Sequence, residues 1–228
     1  MNVPAVTLNP YLGPESIGPF LAYPGKGLFM LQPYQPGKIP VVFVHGLMST
    51  PYTWMPMFSD LMGDPAINQY YQFWFFAYPT GNPVVYSASQ LRKSLRDAQS
   101  LYDPRGTDPA FNRMVLVGHS MGGLLAKTMV QRTGDALWYA VADKPFADLK
   151  AAEEVRDLVQ DCLFFEPLPF VSRLVFIATP HRGSALAMGS IGQLGASLIK
   201  LPVSIATLPL AVARGLGLGP DQLPKRYL

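Results

Sequence analysis

Three observations predict an α/β architecture, a doubly wound and mostly parallel sheet with helices on both faces. Near-continuous apolar runs, among them Ile39-Pro40-Val41-Val42-Phe43-Val44 and Met114-Val115-Leu116-Val117, alternate with segments of helical periodicity. Strands that are apolar on both faces belong to a sheet covered on both sides. The second run leads straight into Gly118-His119-Ser120-Met121-Gly122 and then a helical pattern, so strand becomes helix through one tight turn. The first run ends in His45-Gly46 and a loop.

In chain order, residues 1–38 read as an irregular leader. Gly13-Pro14, Gly18-Pro19, Pro24-Gly25 and Pro36-Gly37 punctuate it with turns, and one short strand is expected around Leu28-Phe29-Met30-Leu31. Residues 39–228 form the domain proper. After Thr50-Pro51 a helix is expected to carry Trp54, Met57, Phe58 and Leu61. The strand Tyr71-Gln72-Phe73-Trp74-Phe75-Phe76-Ala77-Tyr78 follows, stopped by Pro79-Thr80-Gly81-Asn82-Pro83. Its aromatics suit core packing better than a ligand platform. Leu91, Leu95, Ala98 and Tyr102 then share one helical face, and Leu124, Leu125 and Met129 mark the helix after Ser120.

Residues 134–170 read as a helical insertion. Glu153, Glu154, Arg156, Asp157 and Asp161 alternate with Val155, Leu158 and Val159, which predicts an amphipathic helix with a solvated charged face; a cap over the site is the functional alternative. Arg173-Leu174-Val175-Phe176-Ile177 is the next strand, and 183–228 is an apolar, glycine-containing segment, lid-like or incomplete. Gly, Ser and Gln dilute its first half and Pro202 and Pro209 break its second, against the ~20 apolar residues of a membrane span.

Composition narrows the function classes. The 228 residues are 49% hydrophobic and 14% charged, with a net charge of +3, so a core is affordable and no basic footprint points to nucleic acid. The N-terminus has no basic region followed by an apolar core, hence no visible signal peptide; cell-envelope association stays open if the true N-terminus lies upstream. Cys162 is the one cysteine. It excludes an internal disulfide, leaves the compartment open and suits a small buried apolar residue.

The chemistry centres on Ser120. A serine between Gly118 and Gly122 at a strand–helix junction is a nucleophile elbow, where the backbone is strained and the flanking positions tolerate no bulk. Attack on a carbonyl creates an oxyanion that needs preorganised N–H donors. Met121, opening the helix, is one candidate; Leu47, after His45-Gly46, is the other. His119 and His45 read as supports of these turns.

On Val44-His45-Gly46-Leu47, Gly118-His119-Ser120-Met121-Gly122-Gly123 and Ile177-Ala178-Thr179-Pro180-His181-Arg182-Gly183-Ser184, the chain resembles the α/β-hydrolase superfamily, and more narrowly its bacterial lipase and esterase branch. The third motif is similar to triacylglycerol lipases and the related inositol deacylases. The resemblance implies hydrolysis of a carboxylic ester through an acyl-enzyme on Ser120, with no cofactor and no metal. It also implies a small-molecule or lipid substrate and peripheral contact with lipid surfaces. Acyl transfer to another alcohol uses the same residues. A non-catalytic hydrolase-fold binding module is the alternative of a different class.

In that superfamily the order is Ser, then Asp or Glu, then His. His181 is the single histidine after Ser120, and it serves as base only if Asp143, Asp148 or Asp161 supplies the acid. In relatives the acid and base follow the seventh and eighth strands, and no further strand is evident after Ile177. The expectation is therefore an N-terminal portion of a longer hydrolase, inactive alone, with 173–177 as an open sheet edge that favours self-association.

Overall fold

A computed structural model of the chain describes residues 26–183 and 208–217. The leader before residue 26 and the segments 184–207 and 218–228, which hold most of the lid-like stretch, lie outside the described residues. The strands are β1 (Gly27–Met30), β2 (Ile39–Val44), β3 (Tyr71–Ala77), β4 (Met114–His119) and β5 (Val171–Ile177). They form one sheet in the order β1-β3-β2-β4-β5. Neighbours among β2 to β5 run parallel, and β1 alone is antiparallel, against β3. This is the expected α/β class, with parallel pairs joined by helical crossovers.

Period-two alternation along the strands decides which helix meets which face. Val42, Val44, Trp74, Phe76 and Leu116 point one way and pack with Leu91 and Leu95 of α3 (Val84–Tyr102) and Leu125 of α4 (Met121–Thr128). Val41, Phe43, Phe73 and Phe75 point the other way, onto Trp54 and the partly buried Phe58 and Leu61. Trp54 ends a 3-10 turn, Pro51–Trp54, rather than sitting inside the helix; α1 (Met55–Gly63) begins one residue later. A further helix, α2 (Pro65–Tyr70), is capped by Asp64, whose Oδ1 accepts from the Ala66 amide at 2.8 Å. Each fully buried large side chain contributes about 1.5–3 kcal/mol, so both faces anchor the strand ends that carry the site.

The insertion packs beside α3. It holds α5 (Ala136–Tyr139) and α6 (Glu153–Leu163), and with α7 (Leu208–Gly215) encloses a small core of Trp138, Ala142, Leu149, Val159 and Leu216. Glu153, Glu154, Asp157 and Asp161 are exposed as expected, but Arg156 is not part of that solvated face. It is half-buried, with its guanidinium over the Phe146 ring at 4.9 Å and bonded to the Leu149 carbonyl, because a long stem covers apolar surface while its head finds an acceptor.

β5 starts two residues before the expected strand and lies at the edge of the sheet, paired among the described residues with β4 alone. Val175 and Phe176 are 45% and 39% exposed there, whereas all six residues of β2 are buried. No described helix is long and apolar enough to cross a membrane.

Candidate active site

Three described non-glycine residues have positive φ: Met48 at 54°, Ser120 at 51° and Ala178 at 48°. Each follows the carboxyl end of a strand, β2, β4 and β5 respectively, and these strands are adjacent. Carboxyl ends of parallel strands are where α/β sheets place their ligands, and left-handed non-glycine backbone costs of order 1–3 kcal/mol unless the surroundings enforce it.

The surroundings at Ser120 are backbone packed on backbone. A Cβ at Gly118 would lie 2.6 Å from the Gly123 nitrogen, and one at Gly122 would lie 2.7 Å from the Val44 carbonyl carbon. Strand β4, helix α4 and the end of β2 therefore meet at distances that only glycine permits. The Ser120 amide donates to the Ile177 carbonyl at 2.8 Å, and the Ser120 carbonyl accepts from the Gly123 amide at 3.1 Å. Ser120 thus hangs between β5 and the first turn of α4, half-buried.

The His45-Gly46-Leu47 loop approaches from β2. A Cβ at Gly46 would meet the Ser120 Cβ at 3.0 Å and His119 Nδ1 at 2.9 Å, so this glycine lets the loop lie on the elbow. His119 also turns toward the edge of Trp54, with ring centroids 6.4 Å apart. His45 is buried and stacks on Tyr78 at 4.4 Å. Its Nδ1 lies 3.1 Å from the Gly46 carbonyl, its Nε2 accepts from the Tyr78 amide at 3.4 Å, and Tyr78 donates to the His45 carbonyl at 2.7 Å. That network fits a neutral imidazole carrying its proton on Nδ1. Burial lowers its pKa to about 4 against the weaker opposing pull of the Gly46 carbonyl. Beyond it, the Met48 amide donates to Thr80 Oγ1 at 3.2 Å. Among the described residues, neither the Leu47 nor the Met121 amide donates to a backbone carbonyl outside the regular elements.

The base is less well provided for. His181 follows β5, its amide bonded to the Thr179 carbonyl at 3.0 Å and its ring edge-on to Phe176 at 4.6 Å. Phe176 pairs with Gly118 in the sheet, so His181 is near the elbow's strand. Among the described residues, however, neither His119 nor His181 forms an ion pair with a carboxylate. Asp143, Asp148 and Asp161 are exposed on the insertion. No described group of His, Cys, Asp and Glu could hold a metal ion.

A sizeable cavity lies elsewhere. About 630 Å³ between α3 and the insertion is lined by charged residues including Arg92, Lys93, Arg96, Asp97, Asp161 and Glu166, and by no residue of the elbow. Some of its charges are engaged: Lys93 with Asp97 at 3.2 Å, and Glu166 with Arg132 at 2.6 Å. Arg92 lies over Phe165 at 4.1 Å and donates to the Thr128 carbonyl at 3.1 Å. That places a cation at the carboxyl end of α4, the favourable end of the helix dipole. Cys162 is buried beneath, its thiol pushed up to about 11 chiefly by desolvation, as expected of an inert residue.

Three contributors were given no role by the sequence: Tyr78, Thr80 and Thr179. Tyr78 and Thr80 were legible only as strand end and turn. Thr179 was legible as a member of the third motif, and its fit against Gly123 emerges only in three dimensions.

A family model described as "Alpha/beta hydrolase family" matches residues 41–225. Among solved structures, the lipase BlEst2 of Bacillus licheniformis in its mature form is 21% identical, the match covering 89% of this chain and 69% of that one with a TM-score of 0.42. The propeptide form of the same lipase is 23% identical over 72% of this chain, at a TM-score of 0.40, and the chain spans only 28% of its length. The bottromycin epimerase BotH, in complex with bottromycin A2, is 15% identical, covering 81% of this chain and 90% of that one at a TM-score of 0.29. No curated protein matches the chain.

Proposed function

The chain belongs to the alpha/beta hydrolase family, and from that premise we propose that it serves hydrolysis of a carboxylic ester with an apolar acyl chain, Ser120 being the nucleophile. The observation that carries this reading is the strained backbone of Ser120, φ 51° and ψ −122°, held by contacts that demand glycine at Gly118 and Gly122. A fold kept only for binding has no use for that strain.

In the proposed reaction Ser120 Oγ attacks the ester carbonyl carbon and gives its proton to a base. The carbonyl oxygen becomes an oxyanion, held by the Met121 amide at the positive end of α4 and by the Leu47 amide. Collapse of the tetrahedral intermediate expels the alcohol, which takes the proton back from the base. Water then repeats the sequence on the acyl-enzyme and releases the acid. An alcohol in place of water makes the same residues an acyltransferase. Support for an apolar acyl chain comes from the exposed Leu47, Met48, Tyr52 and Met57 around the loop.

The base in this reading is a histidine oriented by a carboxylate, and His181 is its alternative within the chain. Absence of a carboxylate ion pair at His119 and His181 among the described residues is the observation that favours the second reading, a non-catalytic binding module. Turnover of p-nitrophenyl butyrate by the full-length natural protein separates the two. Ser120→Ala is expected to lower kcat/KM by at least ~10³-fold, the residue being the oxyanion hole's own contribution. Retention of most turnover rules out the covalent mechanism. A loss on His181→Ala of the same size makes His181 the base.

A further inference from the structure

Thr179 occupies a place that the reaction described above does not use. It follows Ala178, whose φ of 48° turns the chain back over the elbow as soon as β5 ends. Its hydroxyl lies 3.5 Å from the Gly118 carbonyl, to which it donates. A Cβ at Gly123 would stand 2.8 Å from Thr179 Cγ2 and 2.9 Å from its Cβ, and nearer still to Oγ1. The side chain therefore fills the notch that Gly123 leaves in the first turn of α4. Gly118 and Gly123 flank Ser120 on either side, and the Ser120 amide is already tied to the Ile177 carbonyl at 2.8 Å. Strand end, nucleophile, helix start and the turn after β5 form one block, with Thr179 as the piece that closes it.

Resting on the reading of Ser120 as nucleophile, we infer that Thr179 is a positioning residue that holds the elbow at the height of the oxyanion amides. Two features support a role beyond packing. Ala178 retains a conformation that costs of order 1–3 kcal/mol for a residue with a Cβ, and what it achieves is to lay Thr179 against Gly123. The atom nearest the notch is also the hydroxyl oxygen, not the methyl. The hydroxyl thus fills space against Gly123 and meets the carbonyl of Gly118, so serine keeps both functions and alanine keeps neither. Without the wedge the first turn of α4 has room to settle toward β5. A shift of that kind leaves the fold intact while misaligning Oγ and the Met121 amide with the carbonyl.

The test is kinetic, on the full-length natural protein with p-nitrophenyl butyrate, together with the inactivation rate constant for a fluorophosphonate. That rate constant is independent of how much of a variant is folded. Thr179→Ala is expected to lower kcat and the inactivation rate about tenfold with KM within about twofold, as expected of misplacement by a fraction of an ångström. Thr179→Ser is expected to restore both to within about threefold of wild type. Wild-type rates in Thr179→Ala overturn the inference, as does equal impairment of the alanine and serine variants, which marks the methyl as simple packing. Ser120→Ala in the same series separates this failure from the other. If Ser120→Ala keeps its turnover, the nucleophile reading falls and the inference with it; if Ser120→Ala is dead and Thr179→Ala keeps wild-type rates, only the positioning role falls.

Discussion

The turn around Ser120 and the cavity between α3 and the insertion handle polarity in opposite ways. At the turn, glycines hold backbone against backbone, a left-handed serine is enforced, and the candidate donors are main-chain amides. The cavity, about 630 Å³, is rich in charged side chains, of which Lys93 and Asp97 pair with each other and Glu166 pairs with Arg132 outside it. Strain and close backbone contact, rather than volume and charge, mark the place where a reacting group is expected. Arg92 links the two regions, because it lines the cavity while its Nη2 donates to the Thr128 carbonyl at the far end of the elbow helix; its buried Nε and Nη1 have no hydrogen-bond partner among the described residues.

If that contrast is right, perturbing a main-chain donor at the turn outweighs any single charge change at the cavity. Leu47→Pro deletes the amide assigned to the oxyanion and is expected to lower kcat ~10²–10³-fold, while Leu47→Ala, which keeps the amide, has only a mild effect. Ester kinetics on both variants, with circular dichroism to verify folding, check this. Equal activity of the two folded variants removes the loop from the site.

His45 supplies the next largest effect, on stability. The folded protein holds it neutral with a pKa of about 4, whereas in the unfolded chain it takes up a proton near 6.5. Its contribution is therefore complete above pH 6.5 and is lost as the pH falls through the window toward 4. The loss amounts to about 3 kcal/mol over that window. Urea titrations at pH 7 and pH 4 measure it, and His45→Gln should flatten the dependence. An unchanged slope in that variant assigns the acid sensitivity to other groups.

The smallest effect belongs to the cavity. Lys93 and Asp97 form an exposed pair one helical turn apart on α3, worth about 0.3–0.5 kcal/mol. Lys93→Ala is expected to change the urea midpoint by no more than that and to leave ester turnover at the wild-type rate. A tenfold fall in turnover would make the cavity part of the working site and dissolve the contrast.

How much of this was legible beforehand follows from the physics of each signal. Apolar runs announced β2, β3 and β4, and helical spacing announced α3, because burial on a sheet or helix face leaves a period in the sequence. The antiparallel placement of β1 beside β3 left no such mark, since pairing partners are chosen by tertiary packing. The 3-10 turn under Trp54 escaped for a related reason: one turn is too short to carry a period. Gly118 and Gly122 declared the elbow because glycine is the residue that such contacts demand. Met48 and Ala178 share its left-handed backbone, yet neither is glycine or asparagine, so nothing in their identity revealed it. The solvated face expected for the insertion helix failed at Arg156 alone, where an aromatic neighbour and a carbonyl within reach outweighed the charge pattern.

The central claim is that Ser120 is an activated nucleophile, and labelling tests it most directly. The full-length natural protein is treated with a fluorophosphonate, digested and mapped by mass spectrometry. The account predicts a single stoichiometric adduct on the peptide containing Ser120, abolished in Ser120→Ala. An adduct on another serine, or no adduct on a folded protein that hydrolyses esters, would contradict it.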